Sequence, residues 1–129
     1  MAESKAILRS YRQTPRKTRR VAVLIKGKKV SDAKNLLDYT IKRPALPIKK
    51  LLSSAVANAK SQGLTEESLF VKDIRVDNGG MFKRFRPASR GSAHPVKKRM
   101  SHLIVVVSTE APKGKGRKSK SLKTKAKNQ

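Results

Sequence analysis

The spacing of apolar residues along the chain predicts three helices and three strands around one core. Apolar residues recur every three or four positions in a helix and alternate with polar residues in a strand, so the two patterns are distinct. The predicted elements, in chain order, are a strand at 6–12, helices at 15–26, from 31 onward and at 48–63, and strands at 69–77 and 103–107. The last strand is an unbroken apolar run, which predicts either a strand covered on both faces or an inner strand between the other two.

Residues with strong end preferences mark where the helices begin and stop. Thr14 and Pro15 fit an N-cap followed by proline at the first helical position, and Gly27 can close that helix in the left-handed conformation. Ser31-Asp32 is predicted to cap the second helix, and the stretch 44–47, with a proline at each end, to interrupt the chain before the third. The predicted buried sides are Val21, Leu24 and Ile25, then Ala33, Leu36, Leu37 and Tyr39, and in the third helix Ile48, Leu51, Leu52, Ala55, Val56 and Ala59.

The segment from Gly79 to Met100 contains no acidic residue and lies between the last two predicted strands. It is predicted to leave the sheet, turn at 89–92 and return as a long two-stranded ribbon. Because strand side chains alternate, the arms would carry cations on both faces. A ribbon of two strands is marginally stable in water, so this one is predicted to become ordered against a polyanion, with a solvated charged hairpin as the alternative. Its cations are Lys83, Arg84, Arg86, Arg90, Lys97, Lys98 and Arg99.

Two aromatic residues are interleaved with these cations. Phe82 would share a face of the ribbon with Arg84, and Phe85 would point to the opposite face. Either ring could stack on an unpaired base, as aromatic side chains do in single-stranded RNA recognition, or pack at the root of the ribbon. Both interpretations stay open for Phe82, whereas packing is favoured for Phe85.

The overall charge indicates a strongly anionic partner. The 129 residues include 33 Lys and Arg against 8 Asp and Glu, a formal net charge of +25. Nucleic acid or anionic membrane would fit, but no run approaches the ~18 apolar residues of a membrane span, and the first residues show no signal-peptide pattern. We therefore expect an intracellular nucleic-acid-binding protein with no membrane or small-molecule partner. An architectural DNA-binding protein with an intrusive β-ribbon is the alternative to an RNA-binding one.

A second basic region begins on the first strand and continues along the first helix. A helix N-terminus also presents free N–H groups to phosphate. We expect contact with RNA here rather than a solvated helix face. The residues are Arg9, Arg12, Arg16, Lys17, Arg19, Arg20, Lys26 and Lys28.

The residues offer little for catalysis or metal binding. There is no cysteine, which excludes disulfides and thiolate metal sites. His94 and His102 would suit acid–base cleavage of RNA, but the segment 78–109 contains no carboxylate to orient either ring. We expect no cofactor, no metal and no enzymatic activity.

The composition changes abruptly beyond Glu110. Residues 111–129 contain one large apolar residue, Leu122, and are predicted to form a disordered basic tail that adds affinity without sequence choice. Residues 1–110 are predicted to form one domain that includes the hairpin at 79–101.

Five short motifs follow one another in an order and spacing that are specific over residues 5–109. They are Thr14-Pro-Arg-Lys17, Ala57-Asn-Ala59, Val76-Asp-Asn-Gly79, Lys83-Arg84 and Lys98-Arg-Met-Ser-His-Leu-Ile-Val-Val-Val107. Together they resemble the bacterial-type large-subunit ribosomal protein twenty-two family.

The resemblance implies an α+β domain with three helices packed on a small three-stranded antiparallel sheet and a long protruding β-hairpin. It implies a structural protein of the cytoplasmic ribosome that binds large-subunit rRNA and neighbouring large-subunit proteins. The globular part would lie near the exit of the nascent polypeptide tunnel, and the hairpin would line the tunnel wall near the constriction formed with large-subunit ribosomal protein four. The tip would be Ser89, Arg90, Gly91, Ser92 and Ala93, while Lys83, Arg84, Arg86, Lys97, Lys98 and Arg99 would hold the arms in rRNA.

The tip departs from the family pattern at two positions. Family tips read Pro-Arg-Ala-basic-Gly-Arg-Ala, whereas Ala88 and Ser92 stand here in place of two arginines. The hypothesis that follows is a less positive tunnel wall at this point.

Overall fold

The structure is a computed structural model that describes residues 3–110. Its elements are β1 (Glu3–Tyr11), α1 (Pro15–Ile25), α2 (Val30–Tyr39), α3 (Ala45–Ser61), β2 (Phe70–Pro87) and β3 (Ala93–Ser108). Three α-helices and a three-stranded antiparallel sheet in this part of the chain confirm the predicted α+β fold. The predicted tail at 111–129 lies outside the described residues, and the boundary at 110 stays a prediction.

The sheet has the strand order β1-β3-β2, and both pairings are antiparallel. The apolar run at 103–107 therefore belongs to the inner strand, which confirms the second of the two alternatives. Leu103, Val105 and Val107 are fully buried on one face, whereas Ile104 and Val106 on the other face are partly exposed. Only one face of the sheet is thus covered by helices.

Helix α3 is the spine of the core. Ile48, Leu52, Ala55 and Ala59 have no exposed surface and pack against the covered face of the sheet and the other helices. The helix begins at Ala45, earlier than predicted, and Pro47 lies in its first turn. Proline is accepted there because the N–H groups of a first helical turn have no acceptor within the helix.

The buried side of α1 differs from the predicted one. Thr18, Val21, Ala22 and Ile25 are buried, whereas Leu24 is exposed. These four positions follow the i, i+3, i+4, i+7 spacing of one helix face, and position 24 falls outside it. The prediction of Leu24 was wrong because it followed residue size rather than this angular spacing. Thr14 as N-cap, Pro15 as first helical residue and Gly27 with φ of 79° are confirmed.

Two predictions for α2 were wrong. The helix begins at Val30 after Lys29 as N-cap, not at Ser31-Asp32, because the Val30 N–H donates to the Leu69 carbonyl at 3.0 Å. A contact with the chain leading into β2 therefore sets its start. Tyr39 is the last residue of the helix and is exposed, not buried.

Strands β2 and β3 continue beyond the sheet as the predicted hairpin. The two arms pair without interruption from Met81 with Arg99 to Pro87 with Ala93, and no residue from 79 to 100 is buried. The chain reverses through a 3-10 turn in which Arg90 (φ 57°) and Gly91 (φ 71°) are left-handed, and the Ala88 N–H donates to the Ser92 carbonyl at 2.9 Å. The predicted turn at 89–92 is confirmed.

Glycine at position 79 allows the two strands to approach closely at the root of the hairpin. A Cβ atom there would lie 3.1 Å from the carbonyl carbon and oxygen of Met100, which belong to the paired strand. We expect Gly79→Val to lower the free energy of unfolding by about 1–2 kcal/mol, because backbone must shift to admit the side chain. The matched control is Gly80→Val, since a Cβ at Gly80 meets only the flexible end of Met100, at 4.0 Å. Equal urea unfolding curves for the two variants would contradict this prediction.

Glu66 connects α2 and α3 to the turn before β2. Its carboxylate accepts from Lys34 Nζ, and Lys60 Nζ lies 2.7 Å from its other oxygen. The hydrogen bond from Lys34, followed by that from Lys60, lowers the pKa of Glu66 from 4.5 to about 2. Because the folded-state pKa is the lower one, these contacts stabilise the fold above pH 4.5, and this stabilisation is lost as the pH falls toward 2.

This pH dependence can be measured with Glu66→Gln. Between pH 5 and pH 2 we expect the wild-type protein to lose about 1 kcal/mol more unfolding free energy than the variant, a value that allows for solvent screening of the pair. Urea unfolding at each pH measures the difference. Parallel losses in the two proteins would show that Glu66 is not responsible.

Candidate nucleic-acid interface

The cations of this protein fall into two groups, those that lie next to a carboxylate and those that do not. Within residues 3–110, carboxylates lie within 4.0 Å of Lys26, Lys34, Lys49, Lys60 and Lys72 only. All eight acidic residues of the sequence lie outside the hairpin. The hairpin cations are therefore both exposed and uncompensated, which is the electrostatic pattern of a surface that binds phosphate.

A cleft lies where the hairpin leaves the domain, and we call it the basal cleft. It has a volume of about 740 Å³ and is formed by the β1–α1 corner, the α2–α3 loop and the first residues of both hairpin arms. Seven cations and no carboxylate line it. The lining residues are Arg12, Gln13, Thr14, Lys17, Arg43, Phe82, Arg84, Val96, Lys97, Lys98, Arg99 and Met100.

Phe82 lies in the wall of the basal cleft. The guanidinium carbons of Arg12 and Arg84 are 5.5 and 5.9 Å from the centre of its ring, within cation–π range. The residue remains 44% exposed, so the ring is packed only in part. Both interpretations of Phe82 therefore keep support, since it packs at the root of the ribbon and also presents an open aromatic surface.

Phe85 differs from Phe82. It pairs with Pro95 on the opposite face of the hairpin and is 73% exposed. Packing at the root of the ribbon was the favoured interpretation, and it was wrong because the hairpin stands clear of the domain at this position. No cation lies over the Phe85 ring among the described residues.

The structure divides the predicted basic region of β1 and α1. Arg12 and Lys17 join the hairpin residues in the basal cleft, and the Arg19 Nε donates to the Val76 carbonyl at 3.0 Å, which ties α1 to β2. Lys26 Nζ lies 2.5 Å from Asp73 Oδ1, and this close cation lowers the pKa of that carboxyl group. The charge of Lys26 is thus partly compensated. The remaining members are exposed at other places on β1, α1 and the following turn, and these are Arg9, Arg16, Arg20 and Lys28.

Sequence reasoning missed Arg43, which reaches the basal cleft from the α2–α3 loop. The basic pair Lys42-Arg43 before a proline was the available signal, but nothing in the sequence showed that this loop lies beside the hairpin. It also missed the β1–α1 corner, where the Tyr11 hydroxyl donates to Gln13 Oε1 at 2.7 Å. Burial raises the pKa of Tyr11. The hydrogen bond from Tyr11 holds the side chain of Gln13, which lines the cleft.

The two histidines lie in different settings. The Nδ1 of His102 accepts a hydrogen bond from the Ser10 N–H at 2.9 Å, at a β1 bulge where Ser10 has a φ of 54°. His94 pairs with Arg86 on the hairpin. Residues 3–110 contain no cluster of three His, Cys, Asp or Glu side chains placed to hold a metal ion. None of their helices is both long enough and apolar enough to cross a membrane.

The α+β fold and the uncompensated cations of its hairpin define a class, that of small basic proteins with the electrostatic pattern of nucleic-acid binding. The model of the Ribosomal protein L22p/L17e family matches residues 6–108 of the chain. The large ribosomal subunit protein uL22 of Streptococcus pyogenes serotype M6 is 46% identical over 109 residues, which cover 84% of this chain and 96% of that protein. The chain belongs to the ribosomal protein L22p/L17e family. As a member of this family of structural, non-enzymatic proteins, it is a constituent of the large subunit of the cytoplasmic ribosome.

Proposed function

We propose that the chain braces large-subunit rRNA and that its hairpin reaches inward to line the nascent polypeptide exit tunnel, with the globular part near the tunnel exit. The observation that carries this proposal is the hairpin itself. None of its residues from 79 to 100 is buried, it contains no carboxylate, and its cations lie on both faces. Such a ribbon has no protein core to pack against, so a polyanion is the partner that would order it.

The arms and the first helix would provide the rRNA contacts. Phosphate contacts fix the position and register of a protein on nucleic acid, and the fit of the ribbon to an RNA crevice would add specificity. The proposed rRNA-binding residues are Arg9, Arg12, Arg16, Lys17, Arg19, Arg20, Lys26, Lys28, Phe82, Lys83, Arg84, Arg86, Lys97, Lys98 and Arg99. Neighbouring large-subunit proteins, including protein four at the tunnel constriction, would complete the set of partners.

The tip, Ser89–Ala93, would face the nascent polypeptide. Arg90 is exposed and held in a defined left-handed conformation, so its guanidinium is presented from a fixed turn. The Ser92 hydroxyl donates to the Ser89 carbonyl at 2.9 Å and supports that turn. With Ala88 and Ser92 in place of arginine, the tip presents one cation, and the tunnel wall there would be less positive.

Site-specific crosslinking tests the tunnel assignment. A photoreactive amino acid replaces Arg90, or Lys72 as a control at the edge of the sheet, and the variant ribosomes carry stalled, labelled nascent chains of several lengths. We expect crosslinks to the nascent chain from position 90 and none from position 72. Normal incorporation into subunits at 0.5 M salt without a crosslink from any position in 89–93 would reject the tunnel assignment and leave the rRNA role intact.

A further inference from the structure

The basal cleft combines two kinds of surface. One is the partly open ring of Phe82, and the other is a set of cations without carboxylate partners within residues 3–110. Simple phosphate binding requires the cations but not the ring. A ligand that uses both surfaces carries a flat apolar group and a negative charge a short distance apart.

The β1–α1 corner adds hydrogen-bonding capacity to one side of the cleft. Thr14, the N-cap of α1, makes no capping hydrogen bond with its side chain, and Thr14 and Lys17 both line the cleft. The N-terminus of the 11-residue helix α1 therefore opens toward the same space. Pro15 has no N–H, and the Lys17 N–H donates to the Thr14 carbonyl at 3.1 Å. The Arg16 N–H and the positive end of the helix dipole are therefore what favour an anion here.

The size of the cleft is consistent with one nucleotide. Its volume of about 740 Å³ lies in the range of roughly 300–1,000 Å³ found for sites that enclose small molecules. A base within an RNA duplex is stacked on both faces and cannot reach Phe82, whereas a base in a bulge or loop can leave the stack and lie on an aromatic or guanidinium plane. The ligand chemistry is therefore that of an unpaired nucleotide.

We propose that the basal cleft holds one unpaired nucleotide of RNA, with its base stacked on Phe82 between Arg12 and Arg84 and its phosphate at the N-terminus of α1. This inference rests on the proposed rRNA-binding function and deepens it. The arms of the hairpin bind backbone on either side, and the cleft selects a place where a base is extruded. The protein thereby distinguishes an interrupted RNA helix from a continuous one of the same charge.

Three RNA stem-loops that differ only at one position test the inference with the full protein chain. The first is fully paired, the second carries a single bulged adenosine, and the third carries an abasic nucleotide in the same bulge. We expect the wild-type protein to bind the adenosine bulge roughly tenfold more tightly than the abasic bulge, which has the same phosphates but no base. Fluorescence anisotropy at fixed salt measures the three dissociation constants.

Two matched variants assign the preference to the cleft. Phe82→Leu keeps the net charge, and we expect it to bring the ratio between adenosine and abasic bulges close to one. Phe85→Leu makes the same change on the other face of the hairpin and should keep the tenfold ratio. Arg12→Gln removes one of the two cations over the ring and leaves the hairpin unchanged, so it should lower the ratio even if the Phe82 variant folds poorly.

The outcomes separate this inference from the function on which it rests. Equal binding of adenosine and abasic bulges by the wild-type protein overturns the nucleotide site and leaves RNA binding in place. A ratio that survives Phe82→Leu, or that Phe85→Leu lowers equally, overturns the assignment to the basal cleft. Failure to bind any of the three RNAs overturns both this inference and the proposed rRNA contacts.

Discussion

Removing four hairpin cations makes the affinity for rRNA less dependent on salt. The slope of log affinity against log salt becomes less steep by about three, because each neutralised phosphate contributes about 0.7–0.9. The variant carries Lys83→Gln, Arg84→Gln, Lys97→Gln and Lys98→Gln. All four residues are exposed on the hairpin and lack a carboxylate partner within residues 3–110. Filter binding to large-subunit rRNA over a series of salt concentrations measures the slope.

The control for this result removes the same number of charges from the globular part. It carries Lys34→Gln, Lys49→Gln, Lys60→Gln and Lys72→Gln, all at residues whose charge is already paired with Glu66, Asp38 or Glu3. Paired cations release few counterions from RNA, so the slope should change by less than about one. A similar decrease in both variants would show that net charge, rather than the hairpin, governs the affinity.

Leu52→Ala should lower the free energy of unfolding by about 3 kcal/mol, because Leu52 has no exposed surface and its truncation leaves a cavity. The position lies in the middle of α3, where helices and sheet meet. Since small domains are stable by only about 5–15 kcal/mol, a large part of the stability would be lost. Urea unfolding followed by circular dichroism measures the change.

Leu46→Ala is the matched control for Leu52→Ala. It makes the same chemical change in the same helix, but Leu46 is 62% exposed. We expect a change within about 0.5 kcal/mol, as for most surface substitutions. Comparable losses in the two variants would mean that α3 is not packed as described, and a small loss at Leu52 would mean that the core closes over the cavity.

Much of the fold follows from local patterns. The buried stripe of α3 was correct at every predicted position, since six apolar residues repeat at helical spacing over three turns. The predictions that Leu24 and Tyr39 are buried were wrong. Each rested on the size of one side chain and ignored its angle around the helix or its place at the helix end. The predicted start of α2 was wrong because the hydrogen bond from Val30 to Leu69, which is distant in sequence, outweighs the capping preference of Ser31.

The candidate site could be predicted only in part. The charge pattern of the hairpin is a property of one continuous segment, so the sequence was sufficient to find it. The basal cleft is assembled from three segments, and Arg12, Arg43 and Phe82 meet only because the β1–α1 corner, the α2–α3 loop and the hairpin root pack together. The family resemblance, confirmed by the match over 6–108, named the protein class but not this geometry.

The position of β3 at the centre of the sheet has a consequence for how the chain folds as it is synthesised. Within residues 3–110, β1 is made first, yet the strand it pairs with is β3, which places Ser108 opposite Glu3, and β2 also waits for β3. The three helices are finished before the strand that joins both edges of the sheet exists. Leu103, Val105 and Val107, which complete the core on the covered face of the sheet, are therefore added last, and pairing between distant segments such as β1 and β3 is slow. Among the described elements, the sheet is thus the last part of the fold that can form.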